Sequence, residues 1–342
     1  PRHALMKYLP RFSADGSEYV IRLARESSGL RLPPLPWVNV IARPQAGCIV
    51  SERGAGCTWI GNSRENRLTP WFNDPVSDPH GEALYLRDEE RGLYWSPLPG
   101  PVPGAGAYEV RHGFGYTRFR HDSQELAQDT VCFVPMHDTV KIVLVRITNR
   151  GTVPRRLSLF AYAEWVLGST RAETAGNITT DGGGGGAIFA VNQSGGDFAG
   201  HVAFAATAGG ASVSCTADRT AFLGPHGSAE RPAAVSGALD LDGWTGRDRD
   251  PCAVFQTAIE LAPGDARSVV VLIGQAADRA RASALIERYR DPGAAAAALD
   301  EVRASWRHTI SAVQVETPVP AINLMVNGWL TYQNLSCRMW GR

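Results

Sequence analysis

Neither sign of charge is in excess, since 34 Lys and Arg stand against 34 Asp and Glu in 342 residues, and no block of like charge forms an acidic or basic tail. Such a chain has no field to draw it to nucleic acid or an anionic membrane, so an uncharged partner is predicted. No apolar run reaches the roughly eighteen residues that a membrane span needs, and the amino terminus lacks the charged, apolar and small-residue regions of a signal peptide. The chain therefore reads as soluble, with no span of its own. Cysteine is sparse: Cys48, Cys57, Cys132, Cys215, Cys252 and Cys337 are far apart and form no CxxC pair. A chain this long needs no disulfide framework, so reduced, buried thiols in a reducing compartment are expected.

Motifs for several chemistries are missing too. The eight histidines form no HExxH or other close ligand pair, which argues against a metal site. Asn73, Asp74, Asp78 and Glu82 could offer oxygens to calcium, but the EF-hand spacing is absent and Asp beside Pro is ordinary turn chemistry. No GxSxG supports a serine hydrolase. The five glycines at 182–186 are followed by no GK[ST], so they predict a flexible loop rather than a phosphate cradle. Glu82, Asp88, Glu89 and Glu90 could be taken for a glycosidase's carboxylate pair, yet a charged hairpin tip accounts for them as well.

What the sequence does have is period-two alternation. Residues 112–120, 125–134, 140–149 and 155–165 alternate with turn residues between them, and consecutive long strands without helices predict an antiparallel sheet or sandwich. Shorter strands are expected at 18–23, 38–41, 48–51, 83–87 and 93–96, weaker ones at 187–191, 202–206 and 213–216, and a closing pair at 253–261 and 268–274. Helical spacing comes only afterwards: Ala282, Leu285, Ile286 and Tyr289, then Leu299, Val302, Trp306 and Ile310 behind the Asp291 and Pro292 cap pair. A last helix of about twenty residues is predicted from Ala321, with Ile322, Met325, Val326, Trp329 and Leu330 on one apolar stripe. The chain begins at Pro1 and stops while that helix is still running, as an excised piece would.

Function is sought in residues 56–85, GCTWIGNSRENRLTPWFNDPVSDPHGEALY. Trp59, Trp71, Phe72 and Tyr85 offer flat apolar faces, and Asn62, Arg64, Glu65, Asn66, Arg67, Asn73 and Asp74 offer planar or multidentate polar groups. Sugars suit that mixture, because their C–H faces pack on rings while vicinal hydroxyls are bracketed by amides, guanidinium and carboxylate. Pro70, Pro75, Pro79 and Gly81 keep the run irregular. The candidate ligand-contacting residues are Trp59, Asn62, Arg64, Asn66, Arg67, Trp71, Asn73 and Asp74. A surface loop stapled to a sheet by its tryptophans is the plain alternative.

The strings GNSRENRLTPWFNDPVSD, GEALYLRDEE and YWSPLP, with PPLPWVNVIARPQAGCIVSE, HGFGYTRF and LMVNGWLTYQNLSCRMWGR elsewhere, resemble the amino-terminal domain of glycoside hydrolase family 94, the cellobiose and chitobiose phosphorylase family. Within it, the loop looks most like that of the phosphorylase-like region of cyclic β-1,2-glucan synthases. The resemblance implies a mainly β, galactose-mutarotase-like supersandwich, a helical linker, and an (α/α)6 barrel that holds the chemistry. It divides the chain into a leader at 1–12, the supersandwich at 13–275, the linker at 276–320, and the first barrel helix at 321–342. It further implies a non-catalytic piece of an enzyme acting on β-linked glucan. The acidic Asp of the barrel would lie outside this sequence, with no cofactor and with inorganic phosphate as the whole enzyme's co-substrate. In the family an RLT string, similar to Arg67, Leu68 and Thr69, is carried to the active-site rim, often that of a neighbouring subunit; here PWFND follows it, a departure that leaves its sugar contacts open. The implied partners are a β-glucan oligosaccharide, the barrel and a second copy. The implied setting is cytoplasmic, compatible with anchoring of the parent in the bacterial inner membrane. A freestanding carbohydrate-binding module and a domain that merely positions its enzyme are the competing readings.

Overall fold

Strand Val140–Asn149 shows how the sandwich is built. Alternation sends Val143, Val145 and Ile147 into one buried cluster and Val140 and Ile142 into another, so the strand is covered on both faces. In the computed structural model, which describes residues 10–341, this strand sits mid-way in a ten-stranded sheet. Its spatial order is Arg11–Phe12, Glu18–Leu23, Tyr108–Gly113, Tyr116–Ser123, Leu126–Phe133, Val140–Asn149, Ala266–Ala276, Val202–Ala208, Ala187–Asn192 and Ile178–Gly184. A five-stranded sheet holds Val213–Asp218, Pro251–Leu261, Arg155–Glu164, Glu82–Asp88 and Tyr94–Trp95. Every strand pairing within these two sheets is antiparallel, as the alternation predicts. The first cluster, with Leu157, Leu159, Ala161 and Phe255, fills the space between the sheets. The second is closed from outside by Leu299, Val302 and Trp306 of helix Pro292–Ile310 and by Tyr289 of helix Arg279–Tyr289. Asp278 and Asp291 cap these helices by accepting the amide hydrogens of Arg281 and Ala294.

A small third sheet, Val38–Ala42, Ala46–Ser51 and Gly56–Ile60, is what positions the long loop. Cys48 and Val50 face the main core, while Ile49, Cys57 and Trp59 form a satellite cluster on its far side. A Cβ on Gly47 would lie 2.1 Å from the Trp59 ring, so only glycine lets the indole lie flat on its neighbour strand.

Some expectations need correction. The run 56–85 is irregular only in its middle: Gly56–Ile60 and Glu82–Asp88 are strands, because their apolar residues are buried in sheets that the Pro-rich centre cannot join. The glycines at 182–186 complete a strand and its turn, with Gly184, Gly185 and Gly186 at positive φ. The terminal helix runs as Pro320–Leu324, a π-turn at Met325–Trp329, and Leu330–Trp340. The extra residue of the π-turn rotates the stripe read from ideal spacing. Trp329, Tyr332 and Ser336 become the buried line, against Phe114 and Phe12, and Ile322, Val326 and Leu330 are left exposed. All six cysteines are free; Cys215 is half-buried and Cys337 exposed, contrary to uniform burial. Of the 1–12 leader, residues 1–9 lie outside the described residues. Among the described residues, no helix is long and apolar enough to cross a membrane.

Candidate functional site

The loop between Ile60 and Glu82 hangs from a buried polar knot. Glu82 receives hydrogen bonds from Thr58 and Thr69, both at 2.6 Å, and Lys141 Nζ lies 2.5 Å from its other oxygen. Thr58 precedes the loop, Thr69 lies within it and Glu82 follows it, so one carboxylate gathers both ends. Lys141 is the only lysine among the described residues. Burial alone would push the Glu82 carboxyl up, but Lys141 and the two hydroxyls hold it below the ordinary value; burial likewise works to discharge Lys141, and Glu82 keeps it charged.

From this base the loop makes two turns. In the first, Asn62 Oδ1 accepts the amides of Arg64 and Glu65, both at 2.9 Å, an Asx turn. Asn66 is buried and donates to Ile60 O and to Gln275 Oε1. Arg67 turns inward, Nε donating to Ser63 O at 2.9 Å and Nη1 to Ser169 O at 3.2 Å, while its backbone bridges Trp59 and Gly168. Ser63 Oγ donates to Trp340 O at 2.5 Å and joins this turn to the terminal helix. In the second turn, Asp74 accepts from Val76 N and Ser77 Oγ, and the Ser77 hydroxyl, followed by the Val76 amide, holds its carboxyl below the usual range.

The eight candidate residues are thus separated by the fold. Trp71, Asn73 and Asp74 come together with Phe72, Asp78, Leu35, Pro36, Val38 and Trp340 around a groove of about 290 Å3. Trp71 rests one side on the satellite cluster; Leu35, Val38 and Phe72 are 59%, 45% and 45% exposed. So much apolar surface beside a carboxylate and an amide is the feature expected of a site rather than of a solvated loop. Trp59 and Asn66 are buried away from this groove, Asn62 and Arg67 shape the first turn, and Arg64 projects into solvent beside Glu65. Trp340 and the 35–38 wall were missed by sequence reasoning. Nothing local marks them, because their role arises only when the terminal helix and the small sheet meet the loop. The acidic hairpin is tied into ion pairs, Asp88 with Arg155, Glu89 with Arg87 and Glu90 with Arg156.

A family model described as glycosyl hydrolase 94, supersandwich domain, matches residues 17–292. The chain is 38% identical over 335 residues to the cyclic β-(1,2)-glucan synthase NdvB of Rhizobium meliloti, covering 97% of this chain and 12% of that protein. It is 27% identical over 341 residues to N,N'-diacetylchitobiose phosphorylase of Vibrio furnissii, covering 97% and 41%. A solved bacterial glucoamylase in complex with acarbose is similar at TM-score 0.47 and 7% identity over 85% of this chain and 41% of that one. The chain thus spans well under half the length of these two curated relatives.

Proposed function

Because the chain belongs to glycoside hydrolase family 94, with the supersandwich domain over residues 17–292, we propose that it is the non-catalytic, glucan-contacting part of a larger enzyme acting on β-linked glucan, of β-1,2 linkage. The observation that carries this reading is the groove between Trp71, Phe72, Asn73 and Asp74 on one wall and Leu35, Pro36 and Val38 on the other. Its rings suit the C–H face of a pyranose, and its amide and carboxylate suit paired hydroxyls. The linkage rests on the higher identity to a β-1,2-glucan synthase than to a chitobiose phosphorylase.

In this reading the chemistry, with its acidic Asp and inorganic phosphate as co-substrate, belongs to an (α/α)6 barrel elsewhere in the parent, and no cofactor is used. The exposed ridge of the terminal helix meets that barrel or a second copy, and the setting is cytoplasmic. The test is calorimetric titration of the chain with linear β-1,2-gluco-oligosaccharides, alongside glucose 1-phosphate release assayed with phosphate present. Binding that is lost in Trp71→Ala, without turnover, is the expected result. Turnover that scales with the chain through repurification overturns the non-catalytic assignment, and native affinity in Trp71→Ala overturns the groove.

A further inference from the structure

Both walls of the groove are fastened to one three-residue segment, Ser51 to Arg53. On one side Trp37 N donates to Glu52 Oε2 at 2.7 Å, and Glu52 N donates back to Trp37 O at 3.1 Å. On the other side Ser51 Oγ donates to Asp78 Oδ2 at 2.7 Å, and Arg53 Nη1 donates to Ser77 O at 3.0 Å. Glu52 itself is only 2% exposed, so its carboxylate is a structural group out of reach of a ligand.

Trp37 stands where two depressions meet. Pro36 and Val38 line the groove that holds Trp71, and with Trp37 they also line a second one of about 550 Å3 beneath Trp329, Tyr332 and Trp340. Whatever fixes the main chain of Trp37 therefore sets the common wall of both. The charged groups that face Glu52 are Asp78 and Arg53, with Asp74 facing Asp78 in turn. Across Trp37, His112 Nε2 lies 3.0 Å from the same carbonyl that Glu52 N reaches, and a carbonyl only accepts, so Nε2 carries the proton. Burial lowers His112 to about 4, which keeps it neutral wherever Glu52 titrates.

We propose that Glu52 is the positioning residue of the glycan groove: its ionised carboxylate holds Trp37, and with it Pro36 and Val38, at the spacing that admits a glucan chain, and protonation releases that wall. The proposal rests on the glycan reading given above. An ionised acceptor binds an amide more strongly than a neutral carboxyl does. Protonation also relieves repulsion from Asp78, but Asp78 is already engaged by Ser51 and offset by Arg53, so the direct bond to Trp37 decides the outcome. Burial raises the Glu52 carboxyl to about 7, opposed by the amides of Trp37 and of Glu52 itself, which puts the release close to neutrality.

The experiment uses the chain as it stands, with and without a linear β-1,2-gluco-oligosaccharide. Affinity is expected to fall several-fold on going from about pH 8 to about pH 6, and in Glu52→Gln to stay at the weak value throughout. Asp78→Asn, which leaves the grip on Trp37 intact, should keep most of the pH dependence. The ligand-free readout is hydrogen exchange of the 35–38 segment, corrected for intrinsic rate. Trp37 amide protection should drop on acidification in the native chain and not in Glu52→Gln. Protection that ignores pH, or a Gln variant with the native profile, overturns the role of Glu52. Protection that titrates in a chain binding no glucan overturns the glycan assignment and leaves Glu52 as the clamp of the wall.

Discussion

The base of the loop and its rim invert the usual distribution of polarity. At the base, a carboxylate, an ammonium and two threonine hydroxyls are sealed between sheets, while at the rim Trp71, Phe72, Leu35 and Val38 face outward. A buried ion pair adds little stability beyond what an apolar pair would give, but it is specific, since only one arrangement satisfies all four groups. Exposed apolar surface costs stability unless something covers it. Together they describe a loop whose root has one permitted geometry and whose edge leaves its apolar surface uncovered.

Breaking the base should have the largest effect. Lys141→Met leaves Glu82 buried and uncompensated and is expected to cost about 3–5 kcal/mol in urea unfolding. Adding Glu82→Gln should recover much of that loss, because no charge is then left unpaired. Glu82 also sets a pH signature. Its folded pKa lies below the ordinary 4.5, so its contribution is present above that value and is lost as pH falls through the folded pKa. For unfolding as a whole Glu52 acts with the opposite sign: raised to about 7 by burial, it contributes fully below its ordinary 4.5, and that contribution is lost as pH rises through 7. Release of the 35–38 wall, by contrast, leaves Glu52 buried without the Trp37 amide that favours its ionised form, so protonation promotes that local step. Acid unfolding of Glu82→Gln and of Glu52→Gln should therefore depart from the native profile in opposite directions.

At the rim the effect should move from stability to binding. Trp71→Ala is expected to cost about 1–3 kcal/mol of glucan affinity, by analogy with base stacking on aromatic side chains, with a smaller change in unfolding free energy. If unfolding suffers as much as binding, Trp71 is a staple of the satellite cluster and the contrast between base and rim collapses.

Arg67 lies between the two regions and sharpens the distinction. In the sequence its planar fork looked like a sugar reader, but Nε and Nη1 are bonded to carbonyls of Ser63 and Ser169. Arg67→Lys should then cost about 1 kcal/mol of stability through those lost bonds, with any loss in glucan affinity following from a looser loop. A loss of affinity at native stability would restore it to the rim.

The strands were legible because alternation is a local signal: Val143, Val145 and Ile147 announce one face and Val140 and Ile142 the other, within ten residues. The loop's chemistry was legible only as composition. Trp59 and Trp71 look alike in sequence, and what buries one and leaves the other half-open is whether a glycine, Gly47, lies across a strand from it. Glu82 was read as a possible oxygen donor, since nothing near it foretells Lys141 fifty-nine residues on. Trp340 joins the groove from the far end of the chain, and the π-turn that aims its helix has no signature in ideal helical spacing.

That helix offers the last and smallest perturbation. Its buried line, Trp329, Tyr332 and Ser336, packs on Phe114 and Phe12, and Trp329 Nε1 donates to Gly16 O at 2.8 Å. Its opposite side shows Ile322, Val326, Leu330 and Leu335, all exposed. The ridge is apolar like the groove rim, but it has no carboxylate and amide pair among these residues, so it suits another protein surface better than a sugar. Ile322→Ser with Leu330→Ser should change unfolding free energy by no more than about 0.5 kcal/mol per site, as surface substitutions usually do. Yet the native chain should sediment as associated species whose size grows with concentration, and the double variant should be more nearly monomeric. A native chain that stays monomeric, or a variant that unfolds, would mean that the ridge is covered within this domain and that the helix needs no further partner.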